Sequence, residues 1–493
     1  MSVIAILFPP LVAAVLVGIP VRRAWAPAVT VLSCLIVLAL AADMAWHIAA
    51  GGSVTDALGP AWLNWVAVDG LSALILLLIA LVATTAAVYS IGYVAHRNPA
   101  PTKRRLYYAN YNLFIFSMLA IPLLAEPTVV WIVVELTTLC SALLVSFENT
   151  REALEAAWKY VVLSLMGAGV ALFGFLVLFA AMQAGGGGSY TWAGLVAAAP
   201  KMPAILTQTA FLLILIGLGT KVGLVPMHTW LPDAHSQAPS PVCALLSGIE
   251  TTAILYVILR LFPVMQAVPG AHAETWALVL GLISVGTAAF LLLQVHDYKR
   301  LFAFSTVEHM GIILTAIGLG ASAADYGAMQ QIVNHSVSKS FCFFAAGATL
   351  LAVGTREIAA VRGLIRRAPV AGAALIFGGL AVTGAPPLAV FLSEFSILKA
   401  GLAQGRYVAT GLLAAFIAIA FFGVMGQLNR MVFGAPAKAA GRETSDAVAE
   451  PFRLPFSCAL TLILAAVPVI VLGVYVPKPL HDLLTLAAAA LTR

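Results

Sequence analysis

Charge is the scarcest property of this chain. Only 26 Lys or Arg and 20 Asp or Glu occur among 493 residues, so 9% of the sequence is charged and 62% is hydrophobic; an ordinary soluble domain is about 25% charged. That scarcity, with a mean hydropathy of +1.02, excludes a soluble enzyme domain. Cysteine is nearly as rare: Cys34, Cys140, Cys243, Cys342 and Cys458 are scattered with no C-x-x-C pair, which argues against an iron–sulfur cluster, a zinc site or a disulfide framework. No phosphate-binding glycine loop and no haem ligand set are present either. The net charge of +6 and the pI near 9.1 suit basic loops beside anionic lipid and give no nucleic-acid signal.

Long apolar runs take the place of charge. Stretches of roughly 20 apolar residues can cross a bilayer as helices, and about fourteen can be drawn: 3–20, 28–50, 71–95, 111–125, 127–147, 157–182, 204–225, 239–262, 276–295, 302–320, 328–353, 370–399, 408–432 and 455–476. The fold class is therefore an all-α polytopic membrane protein. Lys and Arg concentrate in alternate connections, as the positive-inside rule requires: Arg22 and Arg23, Arg97 with Lys103, Arg104 and Arg105, Arg151, Lys299 and Arg300, Arg356 with Arg362, Arg366 and Arg367, and Arg430 with Lys438, Arg442 and Arg453. The opposite connections carry Lys201, Arg260, Arg406 and Lys478, with Arg493 at the end. This alternation predicts a multi-pass protein of the bacterial inner membrane with both termini outside. Trp62 and Trp65, in the loop before Asp69, suit the outer interface, and Asp69 reads as the N-cap of the third helix.

Two spans are interrupted. Pro226 breaks the seventh, and Gly384-Ala385-Pro386-Pro387 breaks the twelfth, five spans later. Discontinuous helices in corresponding positions point to a transporter built from inverted repeats. The expected division is an N-terminal three-helix segment and loop (1–110), a first five-helix repeat (111–262), a second (276–432), and a final loop, helix and short segment (433–493).

Ionisable residues inside spans cost about 2.5 to 3.5 kcal/mol each on insertion scales and usually mark a pathway. Glu135 and Lys221 lead, either as a proton-loading pair or as a fixed ion pair joining two helices. His335 and Lys339, at i and i+4, share one face of the eleventh helix and form either a relay or a satisfied interior histidine beside an unexplained lysine. Glu394 follows the second break, whereas Lys399 can reach the outer interface. Lys159 either serves the pathway or snorkels to the surface. His228, Asp233, His235 and Glu250 surround the seventh and eighth spans. The histidines could cap helices or conduct protons, and their spacing with no third ligand argues against metal. Glu308-His309 is either a further relay or a structural dyad.

Three stretches carry a family resemblance: Lys221 followed by Pro226-Met227-His228-Thr229-Trp230-Leu231-Pro232-Asp233-Ala234-His235-Ser236-Gln237-Ala238-Pro239, then Asp297-Tyr298-Lys299-Arg300-Leu301-Phe302-Ala303-Phe304-Ser305-Thr306-Val307-Glu308-His309-Met310-Gly311, and Asn334-His335 with Lys339. With them the chain resembles the antiporter-like membrane subunits of respiratory complex I, group 4 membrane-bound hydrogenases and multi-subunit Na+/H+ antiporters. Val134-Glu135-Leu136-Thr137-Thr138-Leu139 and Ala153-Leu154-Glu155-Ala156-Ala157-Trp158-Lys159-Tyr160 look most like the component F type of hydrogenase-4. The resemblance implies fourteen helices in two inverted five-helix repeats, with proton-pathway positions at Glu135, Lys221, Lys339 and Glu394. It also implies a redox-driven complex whose other membrane subunits and peripheral redox arm hold the redox cofactors, with none in this chain, and protons or Na+ as the transported ion. One departure stands out: the eighth helix of the family often has a central Lys or His, and here Glu250 lies in that segment. A Na+/H+ antiporter module and a non-conducting membrane anchor are the alternatives.

Overall fold

The computed structural model describes residues 3–19, 25–52, 65–435 and 452–492; Arg22, Arg23, Trp62, Lys438, Arg442 and Arg493 lie outside them. The regular structure of the described residues is helical, apart from two isolated bridges, Val66–Leu124 and Asp297–Glu357. In chain order the helices are α1 (Phe8–Gly18), α2 (Ala26–Ala49), α3 (Gly70–Arg97), α4 (Pro101–Leu123), α5 (Pro127–Val145), α6 (Arg151–Ala184), α7 (Trp192–Ala198), α8 (Ala204–Val222), α9 (Trp230–Gln237) and α10 (Ser240–Leu245). A π turn, Leu246–Glu250, joins α10 to α11 (Thr251–Leu259). There follow α12 (Phe262–Ala267), α13 (Ala273–Leu292), α14 (Tyr298–Gly318), α15 (Ser322–Val353), α16 (Leu364–Arg367), α17 (Pro369–Val382), α18 (Ala389–Ala403), α19 (Tyr407–Phe433), α20 (Phe456–Val474) and α21 (Lys478–Ala489). Twelve helical stretches are long and apolar enough to cross a membrane, and two shorter apolar helices, Val3–Gly18 and Pro369–Val382, fall in the expected first and twelfth spans.

Polar residues at the ends of the apolar runs start the helices by accepting otherwise unpaired backbone N–H groups. Asp69 accepts from the Ser72 N–H at 3.0 Å, Glu126 from Val129 at 2.6 Å, Thr150 from Ala153 at 3.2 Å, and Asp297 from Lys299 at 2.7 Å and Arg300 at 3.1 Å. Four expected loop charges move into helices. Lys103, Arg104 and Arg105 belong to the first turns of α4, because Pro101 starts the helix ten residues before the expected 111. Lys299 is not a loop cation: Asp297 starts α14 just before it, and the side chain turns inward to 1% exposure.

The stretch Ser240–Ala267 is buried along its whole apolar window and Tyr298–Gly318 nearly so, whereas only a third or less of Tyr407–Phe433 and Phe456–Val474 is buried. The eighth and tenth spans therefore form the centre of the bundle. Small residues allow close backbone contact where helices cross: a Cβ on Gly217 would fall 2.5 Å from the backbone of Gly167 and Ala171, so α8 lies directly on α6.

At the N-terminal end of α3, Asp69 receives both terminal nitrogens of Arg260, one of them at 2.6 Å. Arg260 also binds the Ser72 hydroxyl at 2.7 Å and the Tyr256 hydroxyl at 2.9 Å. Burial works to raise the Asp69 carboxyl, but the Arg260 guanidinium and the Ser72 N–H outweigh it and hold the group below its ordinary range. A carboxylate lowered in the folded state stabilises above its unfolded value, and that contribution disappears on acidification. Asp69→Asn is thus expected to unfold earlier than wild type at neutral pH in a detergent melt, and the gap should close below about pH 4.

Candidate functional site

Helix α8 stops at Lys221-Val222 because Gly223 takes a left-handed conformation (φ +86°), and the chain passes through a 3-10 turn, Met227–Thr229, into α9. Trp230 closes the gap by donating its indole N–H to the Thr220 carbonyl at 2.6 Å. The break leaves Lys221, 2% exposed, facing α5. Its ammonium lies 2.7 Å from a Glu135 oxygen, donates to the Val134 carbonyl at 3.0 Å and also binds the Thr138 hydroxyl. At an effective dielectric near 20 such a contact is worth roughly 4 kcal/mol or more, comparable with the several kcal/mol per ion lost on burial.

Glu250 is the next carboxyl inward, 2% exposed and within electrostatic reach of Lys221. It ends the π turn, and turns of this kind recur at functional positions within helices. One oxygen accepts from the Tyr160 hydroxyl at 3.0 Å and faces Ser141 at 3.4 Å; the other has no partner among the described residues. The same turn connects to the second cluster. Its Ser247 carbonyl accepts from the Thr251 hydroxyl at 2.8 Å and from His335 Nε2 at 3.0 Å, and its hydroxyl meets that of Thr306 at 2.6 Å.

The carbonyl contacts settle both histidine tautomers, because a carbonyl only accepts. His335 carries its hydrogen on Nε2, which leaves Nδ1 as a bare, buried acceptor. His309 donates from Nε2 to the Val382 carbonyl at 2.9 Å and accepts at Nδ1 from the Gln331 amide at 3.0 Å, so both its nitrogens are occupied. The rings are 5.1 Å apart. One turn from His335, Lys339 is fully buried, donates to the Phe302 carbonyl at 2.9 Å and binds the Ser305 hydroxyl. Glu308, 4% exposed, lies within electrostatic reach of both Lys339 and Glu394. Glu394 rests against the second helix break, where Gly384 is left-handed (φ +66°) and any side chain would overlap the carboxylate.

Other expected site residues lie elsewhere. Lys159 is 43% exposed and pairs with Glu155 at 2.7 Å and Asp233 at 3.4 Å, and Arg300 joins the same Asp233 at 2.7 Å. Lys399 is exposed on α18. His228 is buried, its Nδ1 without a partner among the described residues and its ring 6.2 Å from that of Phe304, and among the described residues no three His, Cys, Asp or Glu side chains gather as metal ligands.

Two further interior groups are Lys299, which its place in a basic connection concealed, and His235, a candidate in the sequence whose surroundings were not legible there. Lys299 donates to the Ser236 carbonyl at 3.2 Å and the Ala238 carbonyl at 2.5 Å, capping the end of α9. His235 is fully buried and stacks on Phe343 at 4.9 Å. Neither of its ring nitrogens has a partner among the described residues, while Lys299 and Lys339 lie within electrostatic reach. A sequence signal existed for Lys299: adjacent residues of a helix do not share a face, so Lys299 and Arg300 could not both point outward. Beside them a polar cavity of about 680 Å³ opens among Ser236, Asp297, Arg300 and Arg356.

The sequence profile of the NADH:quinone oxidoreductase/Mrp antiporter transmembrane family matches residues 127–421. The chain belongs to this family. The match contains every interior residue from Glu135 to Glu394, and a second profile, the N-terminus of complex I chain 5, matches residues 65–103. A hydrogenase-4 component F homologue of Methylacidiphilum infernorum is 37% identical over 422 residues, 83% of this chain and 85% of that one. The fold recurs in an archaeal membrane-bound sulfane sulfur reductase (TM-score 0.86, 23% identity, 100% of this chain and 98% of that one). It recurs also in the Mrp complex of Dietzia (TM-score 0.86, 21% identity, 100% and 97%).

Proposed function

We propose that this family member is a proton-translocating subunit of a redox-driven complex of respiratory or hydrogenase type. The observation that carries the reading is the interior row Glu135, Lys221, Glu250, Ser247, His335, Lys339, Glu308 and Glu394, which links one helix break to the other. In the proposed sequence Glu135 and Lys221 load a proton, and Glu250 takes the place that the family often gives to a base. His335 accepts at its free Nδ1 and Lys339 and Glu308 pass the charge to Glu394. The two breaks stand at corresponding positions of the two five-helix repeats. His235 and Lys299 connect the polar cavity with Lys339. The cavity's basic face is cytoplasmic on the positive-inside rule, both termini are outside, and the membrane is the bacterial inner membrane. Adjoining membrane subunits and a peripheral arm supply the redox chemistry and its cofactors.

The family description also names the Mrp antiporter, which favours Na+/H+ exchange as the second reading. Acidification of inverted vesicles holding the native complex decides between them. Proton uptake should follow addition of the electron donor in sodium-free buffer; uptake that needs Na+ and no donor would overturn the first reading. In the same assay Glu250→Gln is expected to slow translocation several-fold, about 1 kcal/mol in barrier, with normal complex assembly, because the amide keeps the Tyr160 hydrogen bond.

A further inference from the structure

Glu394 is 5% exposed, yet among the described residues its carboxylate makes no hydrogen bond or ion pair. A buried carboxylate without a partner is costly. Its inner side faces the Gly384 break, and its outer side opens into a cavity of about 340 Å³ between α18 and α19, lined by Phe391, Phe395, Ala414, Ala418, Phe421 and Phe422. The mouth lies on the flank of the bundle: Phe395 is 54% and Phe422 73% exposed, and Ala414 and Ala418 are exposed on successive turns of α19.

We propose that this cavity is a binding site for a small lipophilic monocation, a primary ammonium carrying one aromatic arm, reached laterally from the bilayer. The volume is at the lower end of ligand pockets, about 300 to 1,000 Å³. The carboxylate supplies a charge-assisted hydrogen bond, and the phenyl rings supply cation–π attraction and an apolar wall for the arm. An acyl chain fills the apolar volume and leaves the carboxylate unpaired. A metal ion needs several oxygen ligands, and the cavity offers one carboxylate among phenyl rings. The site requires only that Glu394 ionise, so it stands or falls apart from proton translocation.

The test uses the native complex and N,N′-dicyclohexylcarbodiimide, which reaches carboxyls from the apolar phase. The Glu394 oxygen bonds to the central carbon of the carbodiimide, the carboxyl proton moves to nitrogen, and an O-to-N acyl shift leaves an N-acylurea with no group lost. Peptide mass spectrometry is expected to find the adduct on Glu394. Phenylbutylammonium should protect at roughly tenfold lower concentration than phenylbutanol, the difference being the charged contact. Ala414→Trp and Ala418→Trp, made singly on the exposed flank, should each suppress labelling while redox-driven translocation continues. Equal protection by amine and alcohol would reduce the cavity to an apolar groove and overturn the proposal. An unlabelled Glu394, labelling that neither compound slows, or labelling that persists in both tryptophan variants would overturn it too.

Discussion

Lys221→Ala is expected to lower donor-driven proton uptake in inverted vesicles at least about tenfold. The ammonium that touches Glu135, the Val134 carbonyl and the Thr138 hydroxyl disappears, and with it the charge next to Glu250. Because removing one member of a buried pair also costs about 3–5 kcal/mol, the variant alone does not separate chemistry from folding. Two further variants do. Glu135→Gln with Lys221→Met removes both charges and should restore assembled complex on a native gel without restoring uptake. Lys221→Arg keeps the ion pair, but a guanidinium does not release its proton, so assembly should be normal and uptake lost. A pair that only fastens α5 to α8 predicts the reverse, with uptake near wild type in both. Lys159→Ala is the control: its ion pairs are solvent-exposed and worth about 0–1 kcal/mol, so uptake should stay within about twofold.

Reading the fold from sequence depends on local signals, and these were strong. Asp69, Thr150 and Asp297 mark helix starts because an N-cap acts on the next few residues, and the two breaks are visible because Gly and Pro act where they stand. The start of α4 was not legible: Lys103-Arg104-Arg105 reads equally as a basic loop or as the polar first turn of a helix, and only packing distinguishes the two. The π turn at Leu246–Glu250 has no composition of its own. It follows from threading a fully buried stretch between α3 and α15, and it governs where Ser247 and Glu250 point. His235 could be named as a candidate but not assigned a role, since its surroundings come from α14 and α15, more than sixty positions away in the chain. Lys159 and Lys399, set below Lys221 in the sequence because they stand near the ends of their spans, both lie exposed.

Lys339→Ala should also reduce proton uptake at least about tenfold, with a different effect on folding. Lys339 has no carboxylate within ion-pair distance among the described residues; its ammonium is held by the Phe302 carbonyl and the Ser305 hydroxyl, and Glu308 acts on it only through space. Its removal therefore leaves neutral acceptors unpaired, about 1–3 kcal/mol, and assembly should suffer less than in Lys221→Ala. The carriers are joined through one π turn, with Glu250 at its end and the Ser247 carbonyl on His335. Carriers on one path limit the same flux, so a second block adds little, whereas parallel routes carry fluxes that sum, so a second block removes what the first left. Glu250→Gln combined with Lys339→Ala is accordingly expected to translocate no more slowly than Lys339→Ala alone. A further several-fold drop in the double variant would mean that protons cross the two halves by separate paths and that the turn at Ser247 only packs the helices together.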